Sequence, residues 1–219
     1  MKHATTIRGI KGGVGTSTLA VLLAAELVRR TNSAPVLLIE RGEDCATIDG
    51  RPVIRLEAQL EEYNPDRSRL LIASNVNRSA DLVRVIDALE AFAGTEEPPL
   101  VLVDTGVDYW EGAALDILTI RNEFLSLRRY LADDNARAAE LAVILEHERP
   151  LGLKEVRDIT GVEPIAVLPH DLSIARSTDA GTLGMRTPKV IGNRLAELAE
   201  LVITRSAKSR RPKAHIPEY

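Results

Sequence analysis

At 219 residues, with 45% apolar and 27% charged side chains, the chain suits one domain with a substantial core. Its net charge of −4 argues against nonspecific nucleic-acid binding by the body of the protein. Aromatic residues make up only 3%, so the core must be built from Leu, Ile, Val and Ala, which suits buried parallel strands under helices.

Residues 4–10 read as a strand, and 17–30 carry helical periodicity with good helix formers. "APVLLIE" (34–40) is a strand, "RPVIRL" (51–56) a possible short one, and "RLLIASN" (69–75) another. Residues 79–94 read as a helix, with Ser79 as a cap and Gly94 as its stop. "PLVLVDTG" (99–106) is a buried strand ending in Asp-Thr-Gly, and "LDILTIRN" (115–122) is the next strand. A helix over 123–133, a strand over 140–147, a helix over 153–160 and a strand over 163–171 follow. Helices at 173–181 and 188–204 close the series.

Strand–helix alternation with short connectors predicts right-handed βαβ units. The expected fold is therefore α/β, a three-layer sandwich with a mostly parallel twisted sheet and helices on both faces. Residues 1–204 are read as one domain and 205–219 as a basic, disordered tail. One cysteine, Cys45, fits a reducing compartment. The N-terminus enters a strand without a leader, and no apolar run nears the ~20 residues of a membrane helix, so a cytoplasmic location is expected.

The stretch "IKGGVGTST" (10–18) lies between a predicted strand and a predicted helix. Gly12, Gly13 and Gly15 permit left-handed backbone angles and let amides approach an anion. Successive amides make a concave nest, and the helix N-terminus adds partial positive charge. Ser17 stands where a phosphate loop places its Mg²⁺-binding hydroxyl, and Thr16 and Thr18 add hydroxyls beside it. Asp104 ends a buried strand next to this loop, where a metal or a loop hydroxyl is the expected partner and helix capping the alternative.

These residues resemble the ParA/MinD group of P-loop proteins, the deviant Walker A family whose loop reads KGGxGK[ST]. The GGVGTST form is most similar to the CpaE/TadZ-like and actinobacterial MinD-like branch. The resemblance implies a P-loop NTPase fold that binds ATP or ADP with Mg²⁺ through Lys11, Gly12, Gly13, Val14, Gly15, Thr16, Ser17 and Thr18. Lys11 then corresponds to the lysine that reaches across a nucleotide-sandwiched homodimer. Asp104 and Ser17 take the Mg²⁺ positions, and Pro169 and Asp171, within "VLPHDLSIARSTDAG" (167–181), lie near the base. Asp171 is equally well read as the cap of the helix at Ser173.

The departures weigh on hydrolysis. Thr16 replaces the usual loop lysine, and Ile10 displaces the usual first loop glycine to Gly9. Where the family has Asp-x-Asp, this chain reads "ERGED", with Glu40 first and Gly42 second. Glu40 is read either as the catalytic carboxylate or as a solvated strand end, with Glu43 and Asp44 as substitutes. The expected adenine-side asparagine is absent, because Glu146 or His147 stands there. Loss of one charge-assisted hydrogen bond, about 1.5–3 kcal/mol, weakens nucleotide binding by one or two decades, while hydrolysis suffers more.

The resemblance also implies a partner protein of a positioning or assembly system. Tyr109 and Trp110 follow the Asp104 loop and serve either as core or as a dimer-facing element. Arg205, Lys208, Arg210, Arg211 and Lys213 offer charge to DNA or anionic lipid, or simply keep the tail soluble. No apolar stripe supports membrane anchoring.

Overall fold

The computed structural model describes residues 4–31, 34–50, 69–76, 99–185 and 188–210. Seven strands are described: β1 (Ala4–Gly9), β2 (Val36–Glu40), β3 (Leu70–Ala73), β4 (Leu100–Asp104), β5 (Leu115–Arg121), β6 (Glu140–Leu145) and β7 (Ala166–Pro169). They form one sheet in the order β3-β2-β4-β1-β5-β6-β7, and every pairing is parallel. The described α-helices are α1 (Thr16–Arg30), α2 (Asp44–Ile48), α3 (Phe124–Ala132), α4 (Leu153–Thr160), α5 (Leu172–Asp179) and α6 (Gly192–Arg210). The α/β fold expected from the alternation is the one observed. The readings at 51–56 and 79–94 lie outside the described residues.

Aliphatic side chains cover both faces of the sheet. On one face, Leu19, Leu23 and Leu27 of α1 recur every four residues and are fully buried. They join Leu38, Leu102, Ile117 and Leu168 from the strands and Leu195, Leu198 and Val202 from α6. On the other face Leu118, Ile120, Leu141 and Val143 pack under Leu127, Tyr130 and Val156 of α3 and α4. Leu37, Ile39, Leu71, Val101 and Val103 make a third cluster, closed by half-buried Trp110.

The crossover from β4 to β5 contains no helix, although a parallel connection ordinarily needs a dozen residues or more. Register explains how so short a link suffices. Leu102 and Leu115 both pair with Thr5, so the chain retraces only two residues of strand before β5 begins. Beneath this link lies Arg8, 1% exposed, which donates to Asp116 (2.9 Å), Asp133 (2.9 Å) and the Asn135 carbonyl (3.2 Å). Tyr109 sits over its guanidinium with the ring centre 5.4 Å away.

Two elements differ from expectation. Helix α2 is an addition: five residues are too few to show a period. Helix α6 runs to Arg210, past the expected end at Thr204, with Ser206 buried and Arg205 paired to Glu140 at 3.4 Å. The turn after α2 meets the turn after α5 backbone to backbone. Gly50 and Gly181 both hold positive φ, 75° and 61°, and a Cβ on Gly50 would overlap the Gly181 carbonyl. Leu183 N donates to Ile48 O at 3.2 Å alongside. Among the described residues no helix is long and apolar enough to cross a membrane.

Candidate functional site

In a parallel α/β sheet, ligands sit beyond the carboxyl ends of the strands. Here β1 leads into the glycine loop and then into α1. Gly13 (φ 75°) and Gly15 (φ 99°) take left-handed angles that turn the loop, and Gly15 caps α1. The first-turn amides of a helix have no intrahelical partner. No hydrogen bond among the described residues engages the amides of Gly12, Gly13, Gly15, Thr16 or Ser17. Gly12 and Gly13 are exposed, whereas Val14 is fully buried, so its side chain serves the core and only its backbone faces a ligand. Ile10 packs with Val14, Leu118 and Ile120 beneath the loop and does not plug it.

Gly9 has no room for a side chain. A Cβ there would stand 2.5 Å from Thr16 Oγ1, 2.7 Å from Val14 Cγ2 and 2.9 Å from the Lys11 carbonyl. The Thr16 hydroxyl therefore lies back against Gly9. The amide of Thr16 is the group it leaves open towards the loop.

Ser17 and Asp104 come together as expected. Ser17 Oγ donates to Asp104 Oδ2 at 2.6 Å, and Gly106 N donates to Oδ1 at 2.9 Å. Asp104 is 5% exposed and caps no helix. Cys45, fully buried, adds its thiol at 3.4 Å from Asp104 Oδ2. Burial, and then the negative charge of Asp104 and Glu40, push that thiol well above its ordinary value, so it stays protonated.

No family model matches the chain, and no curated protein matches it by sequence. Solved structures do. MinD of Aquifex aeolicus superposes with a TM-score of 0.66 at 17% identity, over 92% of this chain and 97% of its own. MinD of Pyrococcus horikoshii OT3, complexed with Mg-ADP, gives 0.64 at 17%, over 95% and 98%. A ParA family ATPase from Chlorobium tepidum TLS gives 0.64 at 15%, over 90% and 97%. The fold is that of the ParA/MinD ATPases.

Within this ParA/MinD fold, Glu40 departs from its reading as a solvated strand end. Register places it beside Asp104 on the neighbouring strand, but it is 2% exposed rather than solvated. Its oxygens accept from Cys45 N (2.7 Å), Ala46 N (3.0 Å) and Ser74 Oγ (2.6 Å). The carboxylate caps the first turn of α2 with two of these bonds and holds Ser74 with the third. Burial raises its carboxyl above the ordinary value, while those hydrogen bonds pull the other way. Of the proposed substitutes, Glu43 accepts from Asn75 Nδ2 at 2.9 Å, and both Glu43 and Asp44 are exposed.

Lys11 forms an ion pair with Glu123 inside its own chain, Nζ to Oε1 at 2.8 Å, with both side chains largely buried. Lys11 first, and then Ser126 and Arg149, hold Glu123 below its ordinary value against the effect of burial. Sequence reading did not single out Glu123. Its place just after β5, at a strand's carboxyl end, was the available signal.

A cavity of about 220 Å³ continues from the loop, lined by Gly15, Thr18, Ile144, Pro169, Asp171 and Ile174 among others. Pro169 and Asp171 are thus brought to the same hollow as Thr18. Asp171 also caps α5, accepting from Ser173 N at 2.7 Å, so its cap reading holds. Glu146, standing where the family's asparagine is expected, faces cations instead: Arg121 at 2.8 Å and Arg149 at 2.5 Å.

Proposed function

We propose that the chain is an ATP-binding switch of the ParA/MinD type, working through a partner protein in a positioning or assembly system, with weak or absent hydrolysis. The observation that carries this reading is the 2.6 Å contact of Ser17 with Asp104 beside a loop whose amides are unengaged. Five of those amides, from Gly12, Gly13, Gly15, Thr16 and Ser17, together with that of Val14, are suited to a polyphosphate. Ser17 and Asp104 would hold Mg²⁺, because hydroxyl and carboxylate oxygens suit a hard cation. The ion would supply charge neutralisation on the phosphates.

Weak hydrolysis follows from what the neighbouring residues are doing. Thr16 offers no cation, Glu40 is occupied by α2, and the neutral Cys45 thiol fills the place beside Asp104. Phosphoryl transfer depends on charge placement and on an oriented nucleophile, and these side chains supply neither. Lys11 remains the cation for a second protomer, after release from Glu123, in a nucleotide-dependent homodimer. The GGVGTST loop supports the CpaE/TadZ-like branch of the deviant Walker A family, as a single cytoplasmic domain. A MinD of Aquifex aeolicus is solved in complex with MinC, which supports partner binding as a mode of action for this fold. Basic residues at the C-terminal end offer a secondary contact to DNA or anionic lipid.

Isothermal titration with Mg²⁺·ATP tests the reading. Binding without measurable phosphate release is the expected result. No heat at millimolar nucleotide defeats it. Steady turnover that disappears in Lys11→Ala and Asp104→Ala would instead favour an active partitioning-type ATPase.

A further inference from the structure

The phosphate end of the site does not account for Arg121. The wall of the adjoining cavity has an aliphatic part, with Leu19, Leu22, Ile144, Leu168, Ile174 and Ile191, and a polar part that includes Asp171 and Asp179. Arg121, the last residue of β5, is the permanent cation on that wall among the described residues. A cation brought against apolar surroundings needs partners, and this one has a single carboxylate among the described residues. Its Nη1 donates to Glu146 Oε1 at 2.8 Å. Glu146 is itself anchored by Arg149 and by Asn122, whose side-chain oxygen accepts from Glu146 N at 2.8 Å. Arg121 Nε is buried and has no hydrogen-bond partner among the described residues. An orphaned buried donor carries a desolvation cost that an incoming acceptor removes.

We propose that Arg121 binds a purine nucleotide, stacking its guanidinium plane on the rings of the base and donating in that plane to an oxygen of the same nucleotide. Glu146 is then a positioning residue that fixes the guanidinium by one edge. The proposal rests on the nucleotide reading above and adds the group that recognises the base. Several features select this chemistry. Glu146 occupies one nitrogen of a five-donor fork and leaves the planar faces without an ion-pair partner. Arginine stacks on π-systems in a way that lysine cannot. The aliphatic part of the wall rewards burial of ring surface. A purine offers two fused rings to both, and adenine and guanine share that ring system. Arg121 also lies on the same cavity wall as Gly15 and Thr18, so a nucleotide with its phosphates at the loop has its base within that cavity.

The experiment compares Mg²⁺ complexes of tripolyphosphate, ATP, GTP and CTP by isothermal titration against the full chain and its Arg121→Met, Arg121→Lys and Glu146→Gln variants. The wild type is expected to bind ATP and GTP at least tenfold more tightly than tripolyphosphate, and more tightly than CTP. Arg121→Met is expected to lose about tenfold for both purine nucleotides, about 1.4 kcal/mol, with tripolyphosphate affinity unchanged. Arg121→Lys keeps the charge without the plane and falls between, which also serves if the methionine variant does not fold. Glu146→Gln shows a smaller loss with the same selectivity. Unchanged purine affinity in Arg121→Met overturns the proposal, as does an equal loss for tripolyphosphate. Tripolyphosphate binding with no gain from any base overturns this assignment alone and leaves the loop reading standing. No binding of any of the four overturns both.

Discussion

Replacing Glu40 with alanine separates a structural carboxylate from a catalytic one. The substitution removes the acceptor for Cys45 N, Ala46 N and Ser74 Oγ, at 2.7, 3.0 and 2.6 Å. The serine hydroxyl can rotate towards another acceptor. The two amides cannot, because the first turn of α2 fixes their direction. A stranded buried donor costs about 1–3 kcal/mol, so the pair costs about 2–6 kcal/mol. Relief from burying a carboxylate returns part of this, and we expect a net loss of about 3 kcal/mol. For a domain of this size that lowers Tm by about 6–12 °C. The check is urea unfolding followed by far-UV circular dichroism, with calorimetry for Tm. A loss below about 1 kcal/mol refutes the argument, and unchanged stability with abolished turnover would return Glu40 to catalysis. The pH dependence has a definite sign. The folded-state carboxyl is raised above 4.5, so its contribution is fullest below that value and is lost as pH rises through the raised one. The margin of wild type over Glu40→Ala therefore narrows with rising pH in that window.

The Lys11–Glu123 pair has the opposite sign: Glu123 is held below 4.5, so its contribution is present above that value and is lost as pH falls. Glu123→Gln should flatten the acid limb of a stability–pH profile, and an unchanged limb would refute the pairing. Gly9→Ala forces a methyl group against the Lys11 carbonyl and the Thr16 hydroxyl; we expect about 1–3 kcal/mol of destabilisation and at least tenfold weaker Mg²⁺·ATP binding, with wild-type affinity as the refuting outcome. Arg8→Ala strands Asp116 beneath the β4–β5 link and should cost about 3–5 kcal/mol in urea unfolding, with a loss under 1 kcal/mol counting against a buried ion network. Cys45, buried and protonated, should react with a thiol reagent at pH 8 only as fast as the protein opens, so rapid stoichiometric labelling of the native protein would disprove its placement.

Strand positions were legible because buried parallel strands are written as short apolar runs, and "VLLIE", "LVLVD" and "ELAVIL" bear the same signal. The loop and its Ser17–Asp104 contact were legible for a related reason: local chemistry and topology together leave one place for each. Pairings across the fold were not. Nothing near Glu40 in sequence announces Ser74 of the β3 end, 34 residues away. Nothing near Lys11 announces Glu123, and nothing in the alternation of β1 says that Arg8 is neutralised by Asp116 and Asp133. The end of α6 was misplaced because its basic composition from Arg205 onward resembles a solvated tail. The helix continues there because Ser206 still faces protein and Arg205 still finds Glu140.

The contact of Gly50 with Gly181 ties two walls that the chain builds far apart. One glycine follows the short helix capped by Glu40, and the other follows the helix that borders the hollow beside the loop. Hydrogen alone fits between them, so neither turn can slide past the other without first lifting away. The turn behind the segment that presents Cys45 to Asp104 is thus seated directly on the turn behind a wall of the hollow.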